Sequence, residues 1–363
     1  MRNIILFLVI VFVYSQCASS RYPKKYEKLG IFSKDTLKEY SIGKAKDNKV
    51  SIQYLGCNNY IIKYGTDVIC IDPFFSNNSF IKTSSGNIQF KQKYFNIGAS
   101  YINKNNISFK DIDAFFISHS HYDHIFDLPY LLQTDSVKPD VKIYGDNSSK
   151  TVLQNFLKPN QFINAENWVK KDSVNKWVYI SSNLRILIIP STHASHYKKI
   201  HIMKGNCDSN YFKGFTNACQ KVNAHRFKEG QNYSFLIDIM ENNKVVCRIL
   251  NKTNGCELNN GLIDAKLLEE HPVDIALMQI ASSNFTNCVP QNLLTQTKPK
   301  QVIIGHWENF FKPYGKQNIK TIPLTNFNVF FDRATAIKPE WPFEKLSDKF
   351  FMPRPGTMIN FYY

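Results

Sequence analysis

From Lys49 onward, polar and apolar residues alternate in short stretches. Val50, Ile52 and Tyr54 are separated by Ser51 and Gln53, the period-two pattern of a strand with one face buried. Tyr60–Ile62 and Val68–Ile71 flank Gly65-Thr66-Asp67 as the arms of a hairpin. Ala114–Ile117, Ile186–Ile189, Ile275–Met278 and Val302–Ile304 contain no polar residue, which predicts strands buried on both faces. Helical spacing lies between them. Val152, Leu153, Phe156 and Leu157 share one face of a helix from Ser149 to Leu157, capped by Asp146 or Asn147 and stopped by Pro159, and a second helix over Leu262–Glu270 ends before Pro272. The mixture predicts an α/β fold of sheet layers covered by helices, without internal repeats.

The first twenty residues follow a different rule. Arg2 is their only charge, Ile4–Tyr14 is an unbroken apolar run, and Ser15-Gln16-Cys17-Ala18-Ser19-Ser20 supplies small residues for cleavage. The run falls well short of the ~20 residues that span a bilayer. It predicts a cleaved signal peptide over 1–20 and an exported protein, periplasmic or extracellular. A lipid anchor at Cys17 is the alternative, and Gln16 before it argues against that. Residues 21–48, rich in Lys and Tyr with weak pattern, are expected to form a basic arm laid over a domain that fills 49–363.

The chemistry stands where the apolar runs end. Phe115-Phe116-Ile117-Ser118 leads into His119-Ser120-His121-Tyr122-Asp123-His124, Ile186–Pro190 leads through Ser191-Thr192 into His193, and Val302–Gly305 leads into His306. Sites in open α/β sheets are built beyond the carboxyl ends of strands, so three segments delivering imidazoles there point to a metal site. His119, His121 and His193 would take one Zn²⁺, and Asp123, His124 and His306 a second. Two ions held ~3.5 to 4 Å apart could carry a hydroxide between them and polarise a carbonyl or phosphoryl oxygen.

The motif His119-Ser-His121-Tyr-Asp123-His124 resembles the HxHxDH signature of the metallo-β-lactamase superfamily. Ser51-Ile-Gln-Tyr-Leu-Gly56, Ile69-Cys-Ile-Asp72-Pro73 and Asp111–His119 look like its branch containing ascorbate-6-phosphate lactonase and N-acyl phosphatidylethanolamine phospholipase D. The likeness runs from about Lys49 to His306. It implies a four-layer αββα sandwich, with an insertion after the third histidine, and a two-zinc hydrolase acting on an ester, lactone or phosphodiester. In dinuclear members an Asp bridges both metals after the strand between the third and last histidines. Here Val245–Leu250 runs into Asn251, whose neutral amide cannot offset the repulsion of two cations. A weakened second zinc is therefore expected, with a hydroxide-only bridge, Asp264 as a substitute acid or a catalytically altered metal-binding protein as alternatives. By the same resemblance Asp72 would accept a hydrogen bond from a ligand imidazole or serve only as a turn residue. Asp127 would orient His124 or cap a helix. His196 would protonate the leaving group beside Asp123 in the catalytic set, unless it is a surface histidine.

Composition adjusts this picture at two points. The 363 residues are 43% hydrophobic and 14% aromatic, which excludes disordered, collagen-like and coiled-coil chains. The net charge of +16 suits phosphate, yet no dense Arg run or nucleic-acid module accompanies it, which argues against a nuclease. A β-lactamase is disfavoured by His124 after the Asp. The charge is spread along the chain except over 197–230, where seven basic residues face Asp208 and Glu229. That stretch is expected to be a basic lid that attracts an anionic small-molecule or lipid-like substrate, or a membrane surface. Cys207/Cys219 and Cys247/Cys256 could close short disulfide loops; buried thiols are the alternative for Cys70 and Cys247.

Overall fold

Phe115 and Phe116 show why the short apolar runs carry no polar residue. Phe116 packs edge-on against Phe235 at 5.5 Å, in the layer where Ile52, Ile71, Ile237 and Leu277 also lie. Phe115 faces the other way, into a cluster with Ile102, Leu128 and Leu153. Each strand thus feeds two layers. The computed structural model describes residues 22–43, 48–169, 176–196, 200–252, 262–286, 288–316 and 319–363. The export signal read at 1–20, with Cys17, lies outside them, as do Lys198, Lys199 and Cys256.

Strands β1 (Leu37–Ser41), β2 (Lys49–Gly56), β3 (Asn59–Tyr64) and β4 (Asp67–Ile71) are followed by a two-residue β5 (Asn87–Ile88), then β6 (Ala114–Phe116), β7 (Lys142–Gly145) and β8 (Phe162–Asn164). Next come β9 (Trp177–Tyr179), β10 (Leu184–Ser191), β11 (Val222–Asn223), β12 (Asn232–Glu241) and β13 (Lys244–Lys252). The chain closes with β14 (Ile275–Gln279), β15 (Gln301–Gly305), β16 (Phe350–Phe351) and β17 (Met358–Tyr362). The first sheet has the order β1-β17-β2-β3-β4-β6-β7-β8 and the second β16-β15-β14-β13-β12-β10-β9, while β11 pairs with β5. Helices Gln92–Asn103, Leu128–Gln133 and Asn147–Leu153 pack their apolar residues against the first sheet. Helices Ala265–Glu270, Leu293–Thr297 and Phe327–Ala336 contribute Leu267, Leu293 and Phe330 to the core that holds the second. Helices outside, two sheets inside: this is the expected αββα sandwich. Among the described residues no helix is long and apolar enough to cross a membrane.

Several expectations change. β2 is buried on both faces rather than one, because its polar residues have partners: Ser51 Oγ donates to Asn360 Oδ1 at 2.8 Å and Gln53 Nε2 to the Tyr101 carbonyl at 2.8 Å. The N-terminal arm is part of the fold. Tyr26 of the helix Tyr22–Lys28 inserts beside Phe331, ring centroids 4.8 Å apart, and β1 pairs in parallel with β17. The helix expected over 149–157 occupies Asn147–Leu153, its first turn fixed by the Asp146 carboxylate accepting from Ser148 N and Ser149 N. The basic segment after His193 is a wall instead of a free lid. Phe212, Phe215 and Phe227 are buried in it, Phe215 against Phe156 and Phe227 against Phe126. Cys207 and Cys219 are free thiols rather than a disulfide, and Cys247 is a buried thiol.

Candidate metal centre

The strand directions bring the predicted residues to one edge. β4 and β6 are parallel, as are β13, β14 and β15, so Asp72, His119 and His306 all follow carboxyl ends. His119 Nε2 and His121 Nδ1 lie 3.0 Å apart, and the His193 ring centre is 5.1 and 4.9 Å from theirs. One nitrogen from each of these three residues lies within 4.8 Å of the others. His193 Nδ1 donates to the Ala194 carbonyl at 2.6 Å, which leaves the Nε2 lone pair free to ligate. Beside this triplet, Asp123 Oδ2 is 3.3 Å from His306 Nε2 and 3.6 Å from His124 Nε2. His124 Nδ1 is held by Asp72 Oδ2 at 2.8 Å.

The charges suit cations. Burial, with the neighbouring imidazoles adding to it, pushes His119 and His193 well below the ordinary histidine range and His121 down to about 3, so all three are neutral donors. Burial alone would raise Asp123, but His124 and His306 beside it hold its carboxyl well below the usual range. Burial opposes charge on His124 too, yet Asp123 and Asp72 lift it above its ordinary value. Neutral imidazoles on one side and an ionised carboxylate on the other fit two divalent ions.

Asp72 has a fuller role than a turn residue. It accepts from Ser118 N at 2.7 Å, Ser118 Oγ at 2.5 Å and Asn58 Nδ2 at 2.9 Å as well as from His124, and is fully buried. Asp127 neither orients His124 nor caps with its side chain. It turns to the loop after Pro73, where Oδ2 accepts from Ser76 N at 2.8 Å and Oδ1 from Ser76 Oγ at 2.5 Å, and burial pushes its carboxyl up to about 6. His196 is not a surface residue: its ring stacks on His193 at 4.6 Å and its Nδ1 accepts the Ile202 N–H at 3.2 Å. Burial pushes it down to about 4. Asp264 is exposed and caps the helix Ala265–Glu270 by accepting from Lys266 N, so it substitutes for nothing here.

Asn251 points into the gap between the sheets, where its Nδ2 donates to Asn58 Oδ1 at 3.4 Å. That joins it through Asn58 to Asp72. Its neighbour Lys252 takes the opposite face of β13 and donates to Ser191 Oγ at 2.5 Å and Ser234 Oγ at 3.0 Å. Burial pushes the Lys252 amine from 10.5 down to about 7. Between those two values the unfolded chain binds the extra proton, so stability rises with pH; below pH 7 a charged, buried amine costs on the order of 5 kcal/mol. Lys252→Met is expected to raise the urea midpoint at pH 7 and to lose that advantage by pH 10. Parallel midpoint curves for the two proteins would refute this.

His121, Asp123, His124, His193, His196 and His306 form the floor of a cavity of about 520 Å³. Its walls are Phe80, Ile202, Met203, Phe285, Phe310 and Leu324, and no Lys or Arg is among its described lining residues. Sequence reasoning missed His201 and His225, which also line it because the segment after β10 folds back over the centre. It missed Cys57 and Glu308 as well. Cys57 sits in the β2–β3 turn at φ +50°, and its N–H donates to the Glu308 carboxylate two residues past His306. A turn residue paired with a segment 250 positions away leaves no local pattern to read.

Residues 69–239 match the family model described as a beta-lactamase superfamily domain. The match runs from β4 into β12, across His119–His193, and leaves Cys57, Asn251 and His306 outside. No curated protein matches the sequence. Among solved structures, the chain is similar to Igni18, a metallo hydrolase from the archaeon Ignicoccus hospitalis, at 16% identity, covering 87% of this chain and 99% of that one with a TM-score of 0.48. It is similar to the metallo-β-lactamase fold protein YhfI from Bacillus subtilis at 9% identity, covering 86% and 100% with a TM-score of 0.45. An isothiocyanate hydrolase from Delia radicum gut bacteria aligns at 11% identity, covering 85% and 98% with a TM-score of 0.44. The chain is thus similar, over residues 69–239 and across the turn that carries His119 to His124, to a beta-lactamase superfamily domain.

Proposed function

We propose that the protein is an exported zinc-dependent hydrolase of an ester, lactone or phosphodiester whose bulk is apolar. The observation that carries this is the convergence of His119, His121 and His193, and of Asp123 with His306, beside an apolar cavity that all but His119 line. His119, His121 and His193 would hold one ion, and Asp123, His124 and His306 the other. Bound there, zinc supplies Lewis acidity to the scissile carbonyl or phosphoryl oxygen and acidifies water. Asp72 keeps the His124 Nε2 lone pair turned toward Asp123 by accepting from Nδ1. His196, whose Nδ1 accepts from Ile202, keeps its proton on Nε2 and donates a hydrogen bond from it to the departing oxygen, which takes its proton from solvent. The apolar walls exclude water and seat a hydrocarbon or aromatic group, so substrate charge, expected from the basic segment, is confined to the group being cleaved.

The test is a chromogenic panel of p-nitrophenyl esters of increasing acyl length, lactones and bis-p-nitrophenyl phosphate. Activity is expected to vanish on chelation and return with zinc. Along the ester series kcat/KM is expected to climb about fourfold per methylene until the cavity is full, the equivalent of ~0.8 kcal/mol each. A flat series would refute the apolar seat, and indifference to chelation would refute metal dependence. A second reading, a metal-binding protein without turnover, draws on the neutral Asn251; metal uptake with no hydrolysis across the panel would favour it.

A further inference from the structure

We propose that Cys57 binds the second metal ion through its sulfur, as a thiolate ligand that makes up the negative charge missing at Asn251. The inference rests on the two-ion reading of the site and extends its donor set. The Cys57 sulfur, a carboxylate oxygen of Asp123 and a ring nitrogen of His306 all lie within 4.8 Å of one another, and the three residues are buried. That spacing is what one tetrahedral ion needs, with bonds of ~2.3 Å to sulfur and ~2.0 to 2.2 Å to nitrogen and oxygen.

The backbone fixes the sulfur there. Cys57 is held at φ +50°, a left-handed conformation that a residue with a Cβ adopts only when its surroundings impose it. Its carbonyl accepts from His306 N at 2.7 Å and its N–H donates to Glu308. The turn is therefore pinned from both sides to the strand end that carries His306. The next residue, Asn58, binds Asp72 and receives Asn251, so the same turn also braces the imidazole of His124.

Charge favours the assignment. Of the residues given to the two positions, Asp123 alone is anionic among His119, His121, His124, His193 and His306. Asn251 adds no charge where a carboxylate would. A thiolate adds one negative charge at the second position, and its softness suits zinc or cobalt over magnesium or calcium. On coordination the metal–sulfur bond forms, the S–H bond breaks and the proton leaves to solvent.

The experiment uses Co²⁺ alone, titrated into the chelator-stripped full protein. The wild type is expected to take two equivalents, and the second to bring a near-ultraviolet thiolate-to-cobalt charge-transfer band. Cys57→Ser is expected to lose the band and to bind the second equivalent about tenfold or more weakly, with the first unchanged. Cys207→Ser, a thiol elsewhere in the fold, is expected to keep both. Cys57→His, which offers a nitrogen donor, is expected to recover the second equivalent without the band, and covers the case in which Cys57→Ser does not fold. Two equivalents with no band in the wild type, or a band that survives Cys57→Ser, overturns the thiolate. Failure to take up any cobalt overturns the metal reading itself.

Discussion

Asp123→Asn is expected to lower kcat/KM by about 10³-fold, roughly 4 kcal/mol of transition-state stabilisation, while leaving the fold intact. The amide keeps the volume of the carboxylate and removes its charge. Asp123 Oδ2 is faced by His306 Nε2 at 3.3 Å and His124 Nε2 at 3.6 Å, so an asparagine presents a weak neutral donor or an N–H to nitrogens that need a cation between them and it. Metal analysis should fall from two equivalents to one, since the His119, His121 and His193 triplet does not include it. Circular dichroism should match the wild type. Unchanged turnover with two retained ions would remove Asp123 from the centre.

The second large effect lies on β13, on the face opposite Asn251. Arg248 is fully buried on β13, with Nε donating to Asp238 Oδ1 at 2.7 Å, Nη2 to Asp238 Oδ2 at 2.9 Å and Nη1 to the His271 carbonyl at 2.7 Å and to that of Leu267. Arg248→Met is expected to destabilise the protein by about 3–5 kcal/mol, because it leaves Asp238 Oδ1 and two carbonyls at the end of the helix Ala265–Glu270 without their donor. Arg185 Nη2 also reaches Asp238 at 2.8 Å and prevents a complete loss of pairing. Arg248→Lys keeps the charge without the planar fork and should cost nearly as much. Equilibrium urea unfolding measures both. A change below about 1 kcal/mol in Arg248→Met would mean that the network contributes little net stability.

How much of this was legible beforehand depends on the range of the interactions. The apolar runs and the His-rich turn after Phe116 are local, and they gave the strands, the edge on which the site lies and the six residues that meet there. Asp72 was read only by resemblance, since nothing near it in sequence names His124 as its partner. Asp127 sits one turn from His124, and that proximity suggested the wrong contact; the helix turn aims it at Ser76 instead. β1 escaped notice because its alternation is weak and its partner, β17, lies more than three hundred residues away. The basic segment after His193 was read by charge, whereas Phe212, Phe215 and Phe227 decide where it packs.

That last strand governs when the protein can fold. β17 lies between β1 and β2, pairing in parallel with the one and antiparallel to the other. Until residues 358–362 have left the ribosome, β2 keeps a row of unpaired amides and carbonyls along one side, and the Tyr22–Ser41 segment has no sheet to join. Such an edge is a template for wrong pairing with another chain. The nascent polypeptide thus has to be shielded until β17 has emerged, and deleting residues 358–362 would reopen the sheet beside β2.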